Sequence, residues 1–318
     1  VNPDRHNNLT ALRWFAALAV LYGHSFIFLG LPEPVFMNMA ALGALGVYIF
    51  FGLSGYLVAQ SWRNDPHVLR FILRRCLRIF PGLIVCTLLT IVVMSLMSSL
   101  SAKEFFSHSA TWGYLSNSLL YVTYYLPGVF EGSRIPNTVN GSLWSLPAEF
   151  AMYLLLAIVG LAGARSKWIS LIAMLSFIAL SVAWASRGTE MIVVYRTHLQ
   201  QAVIVGSYFW VGVCIFQFNI TRFFTLPNII MLLALWLASS RWHTLYAIGG
   251  YITLPCVALA FGLSKTSILT KLDAHDYSYG MYIYAFPVQQ SVVKYWPQIS
   301  LPLYLVVTAS ITFFLGKL

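Results

Sequence analysis

Charge is what this chain of 318 residues has least of: Asp, Glu, Lys and Arg make up 9% of it, against roughly a quarter in ordinary soluble domains. That scarcity excludes a soluble globular protein. Hydrophobic residues fill the gap at 59%, with a mean hydropathy of +0.77. Acids are scarcer still, nine against nineteen Lys and Arg, for a formal charge of +10. No basic stretch is interleaved with a soluble binding surface, so the excess excludes nucleic acid as the implied partner and points to membrane lipids. Cysteine is sparse too. Cys76, Cys86, Cys214 and Cys256 form no CxxC pair and meet no His at zinc spacing, which argues for buried thiols and predicts neither a metal nor a structural disulfide. Internal repeats, low-complexity tracts and a soluble appendage are also missing.

What is present is long apolar runs. A spanning helix needs about 20 mostly apolar residues, because backbone amides in hydrocarbon must be satisfied within their own segment. Ten stretches qualify, at roughly 9–31, 35–60, 79–101, 148–164, 168–186, 200–218, 223–240, 243–263, 277–293 and 300–316. The expected fold is all-α, a polytopic transmembrane helix bundle of about ten spans, with 1–318 forming a single domain. The first span carries Arg13 and His24 and lacks a small-residue cleavage site, so it reads as a retained span rather than a signal peptide.

Lys and Arg are enriched in short cytoplasmic loops. With the N-terminus inside, twelve of the nineteen fall on the inner side, Arg5, Lys265, Lys271 and the run from Arg63 to Arg78 among them, and six on the outer. Both termini are therefore expected in the cytoplasm. The segment 101–147 then faces outward, mixing aromatics with a turn-rich stretch, as a loop that caps the bundle or receives a substrate.

Ionisable groups inside a span are costly and default to functional candidates. Arg13 and His24 are eleven residues apart, three helical turns plus about 20°, so both lie on one face about 16 Å apart along the axis. A cation near the inner surface and an imidazole halfway across suit a long anionic donor such as acetyl-CoA. His24 can then act as base toward an attacking hydroxyl, or be acylated itself. The bland reading has Arg13 snorkelling to lipid phosphate and His24 bonding across helices.

The Arg13 and His24 spacing resembles the R-x10-H motif of the acyltransferase-3 family of membrane acyltransferases. FFGLSGYL at 50–57, RFILRRCLRIFPG at 70–82 and NGSLWSLPAEF at 140–150 follow in the family's order. The resemblance covers nearly the whole chain. It implies O-acylation, foremost O-acetylation, of a surface polysaccharide or other glycan in a bacterium, with acetyl-CoA as acyl donor and residence in the inner membrane. On that reading Arg13, Arg74, Arg75 and Arg78 bind the donor's phosphates, His24 is base or acyl carrier, and Glu149 orients it or the acceptor. Trp144, Ser145 and Tyr282 are the candidates for acceptor binding.

Each assignment has a plainer rival. The arginines at 74, 75 and 78 can serve topology and lipid headgroups; Glu149 can cap a helix start after Pro147; Trp144 can be an interface residue. Ser54, between Gly52 and Gly55, reads better as part of a close-packing stripe than as a nucleophile. One departure from the family stands out: YIYAFPVQQ at 282–290 places Ala285 where many members have His, so that role is dispensable or has moved to Tyr279, Tyr282, Tyr284 or Gln289. A different class also fits the residues, a transporter or flippase for a glycan or lipid-linked sugar.

Overall fold

The computed structural model describes residues 7–187, 192–264 and 276–317. Arg5, Lys265 and Lys271 of the inward basic set lie outside them, as do His6 and His275. Twelve α-helices carry the described residues: α1 Leu9–Leu29, α2 Leu42–Asn64, α3 Val68–Ser95, α4 Ala102–Ser107, α5 Ser109–Gly113, α6 Ser145–Gly160, α7 Ser166–Arg187, α8 Leu199–Gln217, α9 Leu226–Ala238, α10 His243–Gly262, α11 Ser278–Tyr295 and α12 Leu301–Leu315. The fold is an all-α polytopic membrane bundle. All ten expected spans are helices, and α1, α2, α3, α7, α8, α10, and α6 together with the tight helical turn Gly141–Trp144 that leads into it, are long and apolar enough to cross a membrane. The other three have physical reasons to fall short. At 1.5 Å per residue the 13 residues of α9 and the 15 of α12 reach about 20 and 22 Å, less than the roughly 30 Å of hydrocarbon. In α11 the tyrosines, Gln289 and Gln290 dilute the apolar run, and they can do so because Met281 to Gln290 are all buried.

Several expected boundaries move. The third helix begins at Val68 rather than 79, so the whole basic run from Arg70 to Arg78 is helical, with Pro81 inside the same helix. The second begins at Leu42 instead of 35, because 35–41 forms a hairpin, β1 Val35–Phe36 with β2 Ala40–Ala41. Met37 and Asn38 turn it with φ of 49° and 52°, the left-handed pair that matches strand twist. A second hairpin, β3 Val193–Val194 with β4 Thr197–His198, precedes α8. The segment 101–147, expected to face outward, is not a plain loop: α4 and α5 lie in it, and Phe105, Tyr114, Leu126, Val129 and Phe130 bury themselves with Ile91 and Met94 of α3.

The chain gathers into two compact units, each assembled from separate stretches. One comprises 1–16, 45–75 and 148–276; the other comprises 17–44, 76–147 and 277–318. In the first, glycines let backbones touch: a Cβ on Gly55 of α2 would lie 1.9 Å from Phe209 O of α8, and one on Gly212 2.1 Å from Gly52 O. In the second, α11 packs on α12 where a Cβ on Gly280 would lie 2.5 Å from Gly316 O. Such approaches let dispersion and packing hold helices together where apolar lipid removes the hydrophobic drive.

Candidate active-site residues

In the first unit α2, α3 and α6 assemble a polar cluster. Glu149, in the second turn of α6, receives hydrogen bonds on one carboxylate oxygen from Ser54 Oγ at 3.1 Å and from the hydroxyl of Tyr153, one helical turn on. Ser54 Oγ and Tyr153 OH are themselves 2.9 Å apart. Glu149 spends this oxygen on one hydroxyl of α2 and one of its own helix rather than on the amides of its helix start. The Tyr153 ring also faces the guanidinium of Arg75 at 5.9 Å, which in turn lies 5.8 Å from the Phe71 ring and donates from Nη2 to Ser61 Oγ at 3.4 Å. Ser54 and Ser61 are seven residues apart, two turns of one helix face. The glycine stripe around Ser54 packs on α8 as expected, while Ser54 itself bonds to Glu149, a partner 95 residues away that spacing does not reveal.

The arginines differ in their surroundings. Arg13 pairs with Asp276 at 2.8 Å, each side chain about one-fifth exposed. Arg70 and Arg74 converge on Asp65, each at 2.6 Å. The Arg70 hydrogen bonds first, then those of Arg74, hold the Asp65 carboxyl well below the usual carboxylate range. Arg78, three residues beyond Arg75 on α3, is exposed.

In the second unit His24 lies edge-on to Phe286 of α11 at 5.4 Å and to Phe28 at 6.5 Å, and Nδ1 is buried without a hydrogen-bond partner among the described residues. Phe28 and Phe286 belong to a buried cluster with Ile299 and Tyr304. Ser145 and Tyr282, both expected near an acceptor, meet at 2.6 Å, and Tyr282 OH donates to Ser142 O at 2.9 Å. Trp144 beside them is half-buried. Proline chemistry explains why this segment docks on α11. Pro287 has no N–H, so Ile283 O loses its helical donor; Asn140 Nδ2 replaces it at 2.8 Å. The opposite face of α11, with Tyr284, Val288 and Ser291, borders an apolar cavity of about 240 Å³ against α3 and α12.

The acyltransferase domain that defines the acyltransferase-3 family matches residues 6–316. The chain belongs to that family. This membrane acyltransferase is 29% identical over 295 residues to the O-acetyl transferase of Shigella phage Sf6, covering 91% of the chain and 86% of the relative. Acyltransferase MdmB of Streptomyces mycarofaciens is 34% identical over 154 residues, 46% of the chain and 37% of the relative; nodulation protein 10 of Rhizobium leguminosarum bv. viciae is 29% identical over 162 residues, 49% and 44% respectively. No solved structure matches. Membership implies an acyl donor.

Proposed function

We propose that the acyltransferase moves an acetyl group from cytoplasmic acetyl-CoA to a hydroxyl of an extracytoplasmic surface carbohydrate, from the inner membrane of a bacterium and with both termini in the cytoplasm. The observation that carries this reading is the similarity to an O-acetyl transferase over 91% of the chain. The acceptor hydroxyl attacks the thioester carbonyl, its proton passes to His24, and the CoA thiolate leaves. An imidazole whose buried Nδ1 has no partner among the described residues is suited to that proton.

Arg13, Arg74, Arg75 and Arg78 receive the donor's phosphates. A guanidinium carries five N–H donors in a planar fork, so a bond to one carboxylate leaves capacity for phosphate. Arg75 and Arg78 lie on adjacent turns of α3 within its basic run. Glu149, held with Ser54 and Tyr153, orients the reacting groups. Trp144, Ser145 and Tyr282 contribute to the acceptor side. Equilibrium binding of acetyl-CoA to purified protein tests the donor half: Arg75→Ala with Arg78→Ala should weaken it by about 10- to 100-fold, the loss expected for two charge-assisted bonds. Unchanged affinity would move the phosphate site elsewhere.

A further inference from the structure

Adjacent glutamines, Gln289 and Gln290, lie fully buried on α11. A buried amide normally has both ends bonded, because an unpaired polar atom in the interior keeps its full desolvation cost. Gln289 is pinned at its nitrogen, which donates to Leu21 O at 2.8 Å and to Ser25 Oγ at 2.9 Å. The carbonyl partner settles which end of the amide is which, since two acceptors cannot bond each other. Its main-chain oxygen is fixed as well, accepting from Tyr304 OH at 2.9 Å. Oε1 nevertheless has no partner among the described residues.

The location of that oxygen gives it meaning. Leu21 and Ser25 flank His24, three residues before it and one after, so Gln289 grips the turn of α1 that carries the imidazole. Phe286, three residues before Gln289 on α11, contacts the His24 ring. His24 Nδ1 is likewise buried and unpartnered among the described residues. A carbonyl oxygen that can only accept therefore sits on the turns that carry a ring nitrogen able to act as base. Gln290 repeats the pattern toward the outward segment: Nε2 donates to Ser133 Oγ at 3.0 Å and Ile135 O at 2.9 Å, and Oε1 is unpartnered among the described residues. An acceptor-only atom on the residue that holds the turn of His24 fits a ligand rich in O–H donors.

We propose that Gln289 recognises the acceptor, its Oε1 taking a hydrogen bond from the hydroxyl next to the one that His24 deprotonates, which makes the acceptor a vicinal diol such as a pyranose. This rests on the role given to His24 above and names the substrate class of that site. A site built to bond a hydroxyl discriminates strongly against an analogue that lacks it, because its own buried oxygen is left unpaired.

The test compares wild type, Gln289→Leu and Ser25→Ala, purified in detergent and checked by gel filtration, against a panel of methyl hexopyranosides and their monodeoxy analogues. Saturation-transfer NMR reads glycoside binding without turnover, and labelled acetyl-CoA reads transfer. Wild type is expected to prefer at least one parent glycoside over one deoxy analogue by about 100-fold or more in kcat/KM. Gln289→Leu should lose most of that preference with a smaller fall in acetyl-CoA hydrolysis without glycoside, and Ser25→Ala should keep the preference. A folded Gln289→Leu that still discriminates, or that loses donor hydrolysis equally, overturns the proposal, as does a wild type that binds no glycoside. If Gln289→Leu fails to fold, Gln289→Glu keeps an acceptor oxygen and should retain the preference; its loss there counts against the idea. Selective binding abolished by Gln289→Leu, without any transfer, would defeat the acetyl-transfer reading and leave recognition by Gln289 standing.

Discussion

Single residues divide by what a sequence can show about them. Arg13 and His24 stand out in the sequence because an ionisable group inside an apolar run is costly, Arg75 because it matches the family's basic pair, and Glu149 as the acid at the start of a span. Their partners do not, because Asp276 lies 263 residues from Arg13 and Ser54 lies 95 from Glu149. Ser54 shows the difficulty well: its neighbours Gly52 and Gly55 do pack closely on α8, yet its own hydroxyl serves Glu149. Ser54 and Tyr153 give the same carboxylate oxygen two donors, so they should be partly redundant. Ser54→Ala or Tyr153→Phe alone should lower acyl transfer by about 10-fold, and the pair by more than the product, as the oxygen loses its last side-chain donor. Steady-state rates of the three variants check this; strictly multiplicative losses would separate the two hydroxyls.

Helices and turns were read mainly from apolar length, and here the boundaries shifted wherever polar residues belong to a helix. α3 absorbs the arginine run because Asp65, just before it, neutralises Arg70 and Arg74 on its first turns. The carboxyl of Asp65 is depressed in the folded protein, so its contribution to stability is complete above the ordinary carboxylate range and is lost as pH falls through that range toward its folded value. The melting-temperature difference between wild type and Asp65→Asn should therefore be largest at about pH 7 and shrink toward about pH 2. A difference that grows in acid would reverse the sign.

The docking of 140–145 on α11 belongs to the same scale. Its signal was present in the sequence as Pro287 four residues after Ile283, but the acceptor it frees finds Asn140 only through the fold. Asn140→Leu should cost about 1–3 kcal/mol by leaving Ile283 O with only the weak thiol donor of Cys86 among the described residues. Pro287→Ala restores a helical N–H, so the double variant should recover part of that loss; thermal unfolding in detergent reads the cycle, and additive costs would contradict the pairing.

For the whole molecule, composition alone identified an all-α membrane bundle, since 9% charge leaves few other ways to satisfy a backbone. The division into two units was not legible, because each is stitched from stretches far apart in the chain. The motifs divide between the units: Arg13 and Glu149 belong to one, His24 with Ser145 and Tyr282 to the other. The proposed reaction has His24 at its centre. The most direct measurement supplies isotopically labelled acetyl-CoA to purified protein in vesicles with the host's surface carbohydrate on the other side, comparing wild type with His24→Ala at equal folded amounts. Wild type should place label on carbohydrate hydroxyls, and His24→Ala should reduce this by at least about 100-fold. Equal labelling by the two proteins, or carbohydrate that crosses the membrane unmodified, would contradict it.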